Sequence, residues 1–375
     1  MKNEDFAIAF SEKEGEEAVK EVSLKIKRIF PKKINYIILM FTPDYTPAQI
    51  IKTINFTLKP KKLFCLQAPW LIFEDKSIPK GIVACCINKE NLYSHESFLE
   101  EKKSDETEAF FRSAFKNMRK TDYFFLSFIS PSINPNSYLN SMKLSLGEAV
   151  NSLGIGYMKH FGQHSYQIIN DQINQGLTNI ALRGLEVDTL QLSGYVPLGR
   201  PFKITKVVPS RNLIVEINEQ PAVKIYRHYA DDKYETFMKK KLFNLYPLGI
   251  RKNGSIQLVN IIECLQDGSL VYTGEVKEGS EAHIMFLDTT SLFSEIKNKL
   301  FLFQQKGQGL VFMVNSLVRK KILQDLANDE IKFIKQTLGK ESKIIGVYSD
   351  YCLSADQEKG QIDVETGKLL LTLWN

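Results

Sequence analysis

The alternation of apolar and polar positions predicts a regular order of elements near the start of the chain. Val19, Val22, Ile26 and Ile29 recur at helical spacing, and the run "INYIILMF" that follows has the length of a buried strand. A second helix is predicted to begin at Pro47, because proline is favoured at the first helical position. Two further strand candidates, "KKLFCLQ" and "KGIVACCI", come after that helix.

The same order recurs near the end of the chain. Leu292, Ile296, Leu300 and Phe303 lie on one face of a predicted helix, and the strand "GLVFMVNSL" follows it. One long helix, "VRKKILQDLANDEIKFIKQTL", then leads into the strands "SKIIGVYSDYCLS" and "GKLLLTLW". We interpret residues 14–90 and 289–375 as an internal duplication of a helix–strand–helix–strand–strand unit. The alternative is that α/β chains repeat such orders without a common origin.

Helical and strand patterns also mix throughout the middle of the chain, which predicts the fold class. The expected architecture is α/β, or mixed α+β, with mixed sheets, and neither a helix bundle nor a sandwich. With 375 residues the chain is more than double the comfortable size of a single core, so two domains are expected.

Composition and charge make nucleic acid an unexpected partner. The chain is 43% hydrophobic and 25% charged, which is typical of a globular protein, and its net charge is +6. The basic patches at 25–33 and 239–241 interleave with apolar residues, so we interpret them as solvated helix faces. A nucleic-acid-binding domain usually has a far more basic balance.

The pattern predicts a cytoplasmic protein without membrane insertion. The longest apolar runs fall far short of the roughly 20 residues that a membrane-spanning helix needs, and the N-terminus turns acidic where a signal peptide is apolar. The five cysteines form no C-x-x-C motif, as expected in a reducing compartment. Four of the five lie in strand-like runs and are predicted to be buried free thiols. The cysteines are Cys65, Cys85, Cys86, Cys264 and Cys352.

No catalytic motif stands out, and we expect a protein that is not an enzyme. The G-x-G pairs at 154–156 and 307–309 lack the third glycine of a dinucleotide loop and are interpreted as turn glycines. His160 and His164 stand four residues apart, a spacing that could hold a metal or a haem on a helix. Gly162 between them and the strand-like flanks favour ordinary loop histidines, so no metal and no cofactor is expected.

The stretch "GYVPLGRP" at 194–201 is the strongest motif of the chain. It matches the G-x-x-P-[IL]-G-R/K-P pattern of the FIST family, which the chain resembles from Gly194 onward. "VEINEQPAVKIYR", "YPLGI", "DGSLVYTGEVKEGSEAHIMF" and "GVY" follow in family order. The resemblance implies a FIST N-terminal-like domain over 1–195 and a FIST C-terminal-like domain over 196–375, with the "PLGR" stretch at their joint.

The resemblance also implies a function. FIST proteins resemble sensory modules of signalling systems, proposed to bind small molecules such as amino acids, and some members bind haem. We therefore expect a stand-alone signal-transduction module that binds a small ligand, such as an amino acid or carboxylate, and acts through a separate partner protein. The alternative is a ligand-free interaction scaffold that kept the fold. It rests on Trp70, Lys159 and Tyr351, which stand where the family has small residues and would fill the pocket.

The candidate ligand site lies where the predicted C-terminal strands end, because open α/β sheets present ligands at strand ends. Asn315 and Ser316 offer neutral donors and acceptors, Arg319 a bidentate clamp for a carboxylate, and Tyr348 a stacking face. Arg200 in the joint adds a second candidate anion contact. The alternative is that Arg319 faces solvent at the start of a helix and that Tyr348 belongs to the core.

Overall fold

The computed structural model describes most of the chain, and it confirms a mixed α/β protein with several mixed sheets. The described residues are 5–31, 34–116, 118–147, 150–158, 165–252, 255–307, 309–356 and 361–375. Their α-helices are α1 (Gly15–Ile29), α2 (Pro47–Thr57), α3 (Thr107–Ala114), α4 (Pro135–Leu146), α5 (Lys224–Ala230), α6 (Tyr234–Lys239), α7 (Thr289–Gln304), α8 (Leu317–Leu323) and α9 (Leu326–Leu338).

The strands fall into two sets along the chain. The strands of the first half are β1 (Phe6–Ser11), β2 (Tyr36–Phe41), β3 (Lys62–Gln67), β4 (Leu71–Phe73), β5 (Lys76–Ile78), β6 (Ile82–Ile87), β7 (Tyr93–Glu100), β8 (Tyr123–Ile129), β9 (Ser152–Gly156), β10 (Gln167–Ile169), β11 (Gln172–Asn174), β12 (Gly176–Arg183) and β13 (Val187–Leu192). Those of the second half are β14 (Tyr195–Val208), β15 (Leu213–Ile217), β16 (Gln220–Pro221), β17 (Leu248–Lys252), β18 (Ser255–Val259), β19 (Ile261–Cys264), β20 (Leu270–Tyr272), β21 (Glu281–Leu287), β22 (Leu310–Ser316), β23 (Lys343–Ser349), β24 (Tyr351–Asp356), β25 (Gln361–Glu365) and β26 (Leu369–Trp374).

Three six-stranded sheets share one strand order. Sheet 1 runs β1-β6-β2-β3-β10-β11, sheet 2 runs β7-β12-β8-β9-β24-β25, and sheet 3 runs β13-β26-β22-β23-β4-β5. In each sheet the two central strands are parallel and every other pairing is antiparallel. A helical connection joins each parallel pair, as parallel strands require: α2 in sheet 1, α4 in sheet 2, and α8 with α9 in sheet 3.

A hairpin from another unit completes each of these sheets. The β4–β5 hairpin follows β3 of sheet 1 but pairs in sheet 3, β10–β11 follows β9 of sheet 2 but pairs in sheet 1, and β24–β25 follows β23 of sheet 3 but pairs in sheet 2. The three sheets therefore interlock in a cycle and bury one shared core. At its centre Trp374 of sheet 3 stacks on Phe312 at a centroid distance of 5.4 Å and meets Phe124 of sheet 2 edge-on at 5.8 Å.

The repeated strand order extends beyond the two ends of the chain. β3 and β23, which the sequence pattern paired, both form the second strand of a parallel pair, and β9 takes the same place in sheet 2. The middle of the chain thus forms a third unit that the pattern did not reveal. A common strand order does not establish common origin, so the duplication stays a prediction, as does the domain boundary between 195 and 196.

A fourth sheet is inserted between β13 and α7, within the unit of sheet 3. Its order is β18-β17-β21-β14-β15-β20-β19, with β16 paired to β15. It has its own core, which includes Ile204, Tyr226, Leu248 and Ile284. The "PLGR" stretch lies inside β14, and the register with β21 shifts between Leu198 and Phe202. This long strand leads the chain from sheet 3 into sheet 4.

Several local predictions are confirmed and three need correction. The apolar faces of α1 and α7 are buried as expected, except that Ile29 is 43% exposed. The single long helix predicted after β22 is two helices, because Gln324 has a left-handed backbone, with a φ of 50°, between α8 and α9. Gly154 and Gly156 are not turn glycines: they lie inside β9, where a side chain at Gly156 would overlap the ring of Tyr351.

Two global observations concern membranes and thiols. Within the described ranges, every helix is too short or too polar to cross a bilayer. All five cysteines are free thiols, four of them are buried and Cys264 is half-buried.

Candidate functional site

The carboxyl ends of β22 and β23 bring four of the five predicted site residues together. Asn315 and Ser316 close β22, and Tyr348 lies directly opposite Asn315 in the parallel register. Arg319 follows in the first turn of α8. All four are almost fully buried. Arg200 instead lies exposed on β14 in sheet 4 and makes no hydrogen bond or ion pair with a described residue.

Other parts of the chain already use the guanidinium of Arg319. It forms an ion pair with Glu330 of α9, and both side chains are 0% exposed. It also donates to the carbonyl oxygen of Ser193 and, over 3.3 Å, to that of Gly367. Asn315 Nδ2 donates to the second carboxylate oxygen of Glu330 over 2.9 Å. This arrangement fixes Arg319 as a buried strut between α8, α9 and the turn before β14.

The remaining strand-end groups are also turned inward. Ser316 Oγ accepts from the backbone N–H of Val318 over 3.2 Å and caps α8. Tyr348 Oη is buried and makes no hydrogen bond within the described part of the chain. Burial raises the pKa of Tyr348 well above its usual range. The ammonium of Lys320 lies 5.1 Å from the ring of Tyr348 and 3.9 Å from that of Trp70. Below, Asn315, Ser316, Arg319, Tyr348 and Glu330 are called the strand-end cluster.

Two of the three bulky replacements can be placed. The ring of Tyr351 occupies the space beside Gly156, since a Cβ there would lie 2.1 Å from that ring. Trp70 is half-buried and faces Lys320. Lys159, together with His160 and His164, lies outside the described residues.

A cleft of about 480 Å³ opens beside the strand-end cluster, between sheet 4 and the interlocked sheets. Val318 and Lys321 of α8 and Asp350, which follows β23, line one wall. The facing wall comes from the segment after α6 and from the β18–β19 turn. We call this site the lysine cleft, and its polar side chains are Lys240, Lys241, Asn260, Glu263, Lys321 and Asp350.

Asn260 is the most informative residue of the lysine cleft. Only 7% of it is exposed, and its side-chain oxygen makes no hydrogen bond with a described residue. Its backbone carbonyl, in contrast, accepts from the N–H of Thr273 over 3.0 Å. A buried amide oxygen without a partner is unfavourable by about 1–3 kcal/mol, so such groups usually bind water or a ligand.

Positive charge is concentrated in the segment that builds this wall. Residues 196–252 contain twelve Lys and Arg against five Asp and Glu, whereas the whole chain has an excess of only six positive charges. Lys240 and Lys241 are exposed at the cleft. Three lysines and the acidic residues Glu263 and Asp350 line the cleft, so its charge is mixed with a small positive excess. Such an excess favours anions over cations at the site. On the opposite wall, Asp350 Oδ2 accepts from the N–H of Met158 over 2.8 Å.

Sequence reasoning missed this wall, because the run 239–241 reads as the solvated face of a helix. In the structure α6 ends at Lys239, and the next two lysines lie beyond the helix at the cleft. The available signal was the charge excess of 196–252, which stands out only when charge is counted segment by segment. No group of three His, Cys, Asp or Glu side chains in the described ranges is placed to hold a metal ion.

Comparison with known proteins gives a family but no close relative. The profile of the FIST N domain matches residues 35–220, and that of the FIST C domain matches residues 222–350. No curated protein sequence matches the chain. Among solved structures, a chorismatase is 8% identical with a TM-score of 0.34, covering 99% of this chain and 98% of its own. A cyanuric acid hydrolase from A. caulinodans is 8% identical with a TM-score of 0.37, covering 98% of both chains. Likenesses this low support no inference about fold or activity.

Proposed function

The chain belongs to the FIST family, and on that premise we propose that it is a sensory module whose lysine cleft binds a small anionic ligand of amino-acid size. FIST domains are associated with signalling and sensory proteins. In this proposal the protein has no catalytic role of its own, acts in the cytoplasm and passes its state to a separate partner protein. Its five free thiols are in keeping with a reducing compartment.

The unpartnered oxygen of Asn260 carries the proposal. Asn260 lines the cleft that also presents Lys240 and Lys241, so one small molecule could contact this residue and both lysines. Its carboxylate would face the lysines, while an N–H or O–H donor would bind Asn260. Pockets of this volume, formed between domains and furnished with a few convergent polar groups, are typical ligand sites.

The position of the cleft suggests how binding becomes a signal. Asn260 and the two lysines belong to the sheet 4 side, whereas Val318 and Lys321 belong to α8 of the sheet 3 unit. A ligand that touches both walls favours the arrangement in which they are close. Binding then shifts the population of arrangements that a partner can recognise.

The second candidate is the ligand-free scaffold. One observation favours it: the strand-end cluster, where the sequence predicts a ligand site, is filled by its own contacts, and Tyr351 occupies the space beside Gly156. The two candidates differ in one measurable property, the binding of a small molecule to the purified protein.

Isothermal titration and thermal shift with a panel of amino acids and small dicarboxylates test the proposal. We expect at least one compound to bind at millimolar concentration or below and to raise Tm, since a ligand that binds only the folded state stabilises it. Asn260→Ala and the double variant Lys240→Gln/Lys241→Gln should each weaken binding about tenfold, which corresponds to about 1.4 kcal/mol. Lys52→Gln, an equally exposed lysine on α2, is the matched control.

Two results would contradict this function. If no compound of the panel binds the folded wild-type protein at about 10 mM, the scaffold replaces the sensor. Binding weaker than this corresponds to a binding free energy weaker than about −3 kcal/mol. If a compound binds but the cleft variants bind it as well as Lys52→Gln does, the sensor survives with another site.

A further inference from the structure

The "PLGR" stretch builds one wall of a second cavity, which lies within sheet 4 and its helices. This cavity has a volume of about 300 Å³, and Leu198 lines it. Gly199 has a φ of 71°, and a Cβ there would lie 2.4 Å from Tyr229 Oη. Because Gly199 has no side chain, Tyr229 can approach the strand and donate to the carbonyl oxygen of Leu198 over 3.2 Å. The most specific motif of the sequence therefore shapes a cavity.

Aromatic rings form the opposite side. Tyr226 and Phe237 have ring centroids 5.5 Å apart at an interplanar angle of 33°, and Phe237 and Tyr246 are 6.0 Å apart at 35°. The three rings are thus tilted by similar, modest angles and form a broad aromatic wall. Together with Leu198, Tyr229 and the exposed Lys233, they define what we call the aromatic cavity.

The cavity offers rings but few interior polar groups. Tyr226 Oη donates to the carbonyl oxygen of Tyr246 over 2.9 Å, and Tyr229 Oη donates to Leu198. With both hydroxyl protons committed to the backbone, the interior suits the apolar body of a ligand, and flat rings suit another flat ring. The charged group of such a ligand would remain near Lys233, and the positive excess of residues 196–252 favours an anion.

We propose that the aromatic cavity is a second small-molecule site, which binds a single-ring aromatic carboxylate. The ring of the ligand packs against Phe237 and its two tyrosine neighbours, and the carboxylate faces Lys233. This site is distinct from the lysine cleft: the two cavities share Leu242 as a wall but are lined by different charged residues. The inference goes beyond the proposed function and does not depend on it.

Three probes separate the features that the cavity would recognise. Phenylacetate has the ring and the charge, cyclohexylacetate has the charge on a non-planar ring, and 2-phenylethanol has the ring without the charge. We expect titration calorimetry to show phenylacetate binding about fivefold more tightly than either of the others, because aromatic packing and an exposed ion pair each contribute up to about this factor.

Variants test whether phenylacetate binds in the aromatic cavity. Lys233→Gln should weaken phenylacetate about fivefold and leave 2-phenylethanol unchanged, while Phe237→Leu should weaken both. Gly199→Ala should abolish binding because Tyr229 has to move. Its control is Gly279→Ala, which has the same left-handed backbone strain, with a φ of 84°, but no atom within 4 Å of the new Cβ. Circular dichroism and Tm verify that each variant is folded.

The outcomes are decisive in both directions. Loss of phenylacetate binding in folded Gly199→Ala and about fivefold weaker binding in folded Lys233→Gln, with Gly279→Ala and Lys240→Gln/Lys241→Gln unaffected, support the proposal. It is overturned if phenylacetate does not bind the wild-type protein, if the three probes bind equally, or if only Lys240→Gln/Lys241→Gln weakens binding, since the ligand then lies in the lysine cleft. Failure here leaves amino-acid binding in the cleft intact, so the two proposals fail separately.

Discussion

The strand-end cluster and the lysine cleft are neighbours with opposite chemistry. In the cluster most polar atoms of Asn315, Arg319 and Glu330 have partners within the chain. In the cleft the buried oxygen of Asn260 has none, and Lys240 and Lys241 are exposed. The same residue types thus support the fold in one place and are available to a ligand in the other. Residue type at a strand end does not distinguish the two cases, whereas the state of the cations does: Arg319 is buried in an ion pair with Glu330, while Lys240 and Lys241 are exposed.

Replacing Arg319 should give the largest effect of any change in the cluster. Arg319→Met leaves the carboxylate of Glu330 buried without its cation, and breaking a buried pair in this way destabilises a protein by about 3–5 kcal/mol. Urea denaturation measures the free energy of unfolding. The double variant Arg319→Met/Glu330→Met should recover much of the loss, because it leaves no buried charge. A loss below about 1 kcal/mol for Arg319→Met would show that the pair is not structural and would make Arg319 a ligand candidate again.

A matched pair of asparagines sharpens the comparison. Asn315→Ala removes the 2.9 Å hydrogen bond to Glu330 and should destabilise the fold by about 1–3 kcal/mol. Asn260→Ala removes an oxygen without a hydrogen bond, so its stability should stay within about 0.5 kcal/mol of the wild type or rise. Urea denaturation of both variants tests this. The comparison breaks if Asn260→Ala is the more destabilising of the two.

Much of the fold could be predicted from the sequence because its elements have simple periodicities. The buried face of α7 and the apolar runs of β2 and β22 follow directly from spacing. The third unit could not be predicted, since its strands pair with a hairpin from far along the chain: β24 joins β9 across some 200 residues. Such pairings leave no local signature, because the apolar pattern of a strand is the same whichever sheet it joins.

The candidate site was predicted only in part, for a physical reason of its own. Polar residues after β22 and β23 correctly mark the place where strand ends meet, and the lysine cleft opens there. Helix α9 decides which side chains line the cleft. Its Glu330 pairs with Arg319 and accepts a hydrogen bond from Asn315, so neither residue lines the cleft. Asn260 reaches the cleft from sheet 4, an element whose placement no spacing rule gives.

Glu295 holds the turn before β14, whose Ser193 carbonyl also accepts from Arg319, and it predicts a pH dependence. Its carboxylate accepts from the N–H groups of Ser193 and Gly194 over 3.0 and 2.8 Å, and it pairs with Lys299 at 2.7 Å. Burial raises the pKa of Glu295, but these hydrogen bonds and the Lys299 charge outweigh it, so the pKa lies below its ordinary value of 4.5. A depressed carboxyl pKa stabilises the fold above the unfolded value, and that stabilisation is lost as the pH falls through the folded value.

Glu295→Gln should therefore cost about 1–1.5 kcal/mol at pH 7 and progressively less below about pH 4.5. Urea denaturation of variant and wild type between pH 3 and 7 measures the difference. Glu16→Gln, which removes an exposed ion pair with Lys20, is the control. Its free energy of unfolding should stay close to that of the wild type at both pH 3 and pH 7. An equal loss at both ends of the range would mean that the charge of Glu295 contributes nothing.

Arg200→Ala should have the smallest effect, and it tests whether Arg200 is a structural cation like Arg319. Arg200 lies exposed in β14, between Gly199 and Pro201, and has no partner among the described residues. Surface changes of this kind usually stay within about 0.5 kcal/mol in the free energy of unfolding. Urea denaturation beside Arg319→Met provides the scale. A loss comparable to that of Arg319→Met would show that Arg200 is held in a buried ion pair. A small loss combined with weaker binding of an anion would instead assign Arg200 to ligand recognition, because a cation that the fold does not need can be retained for a ligand.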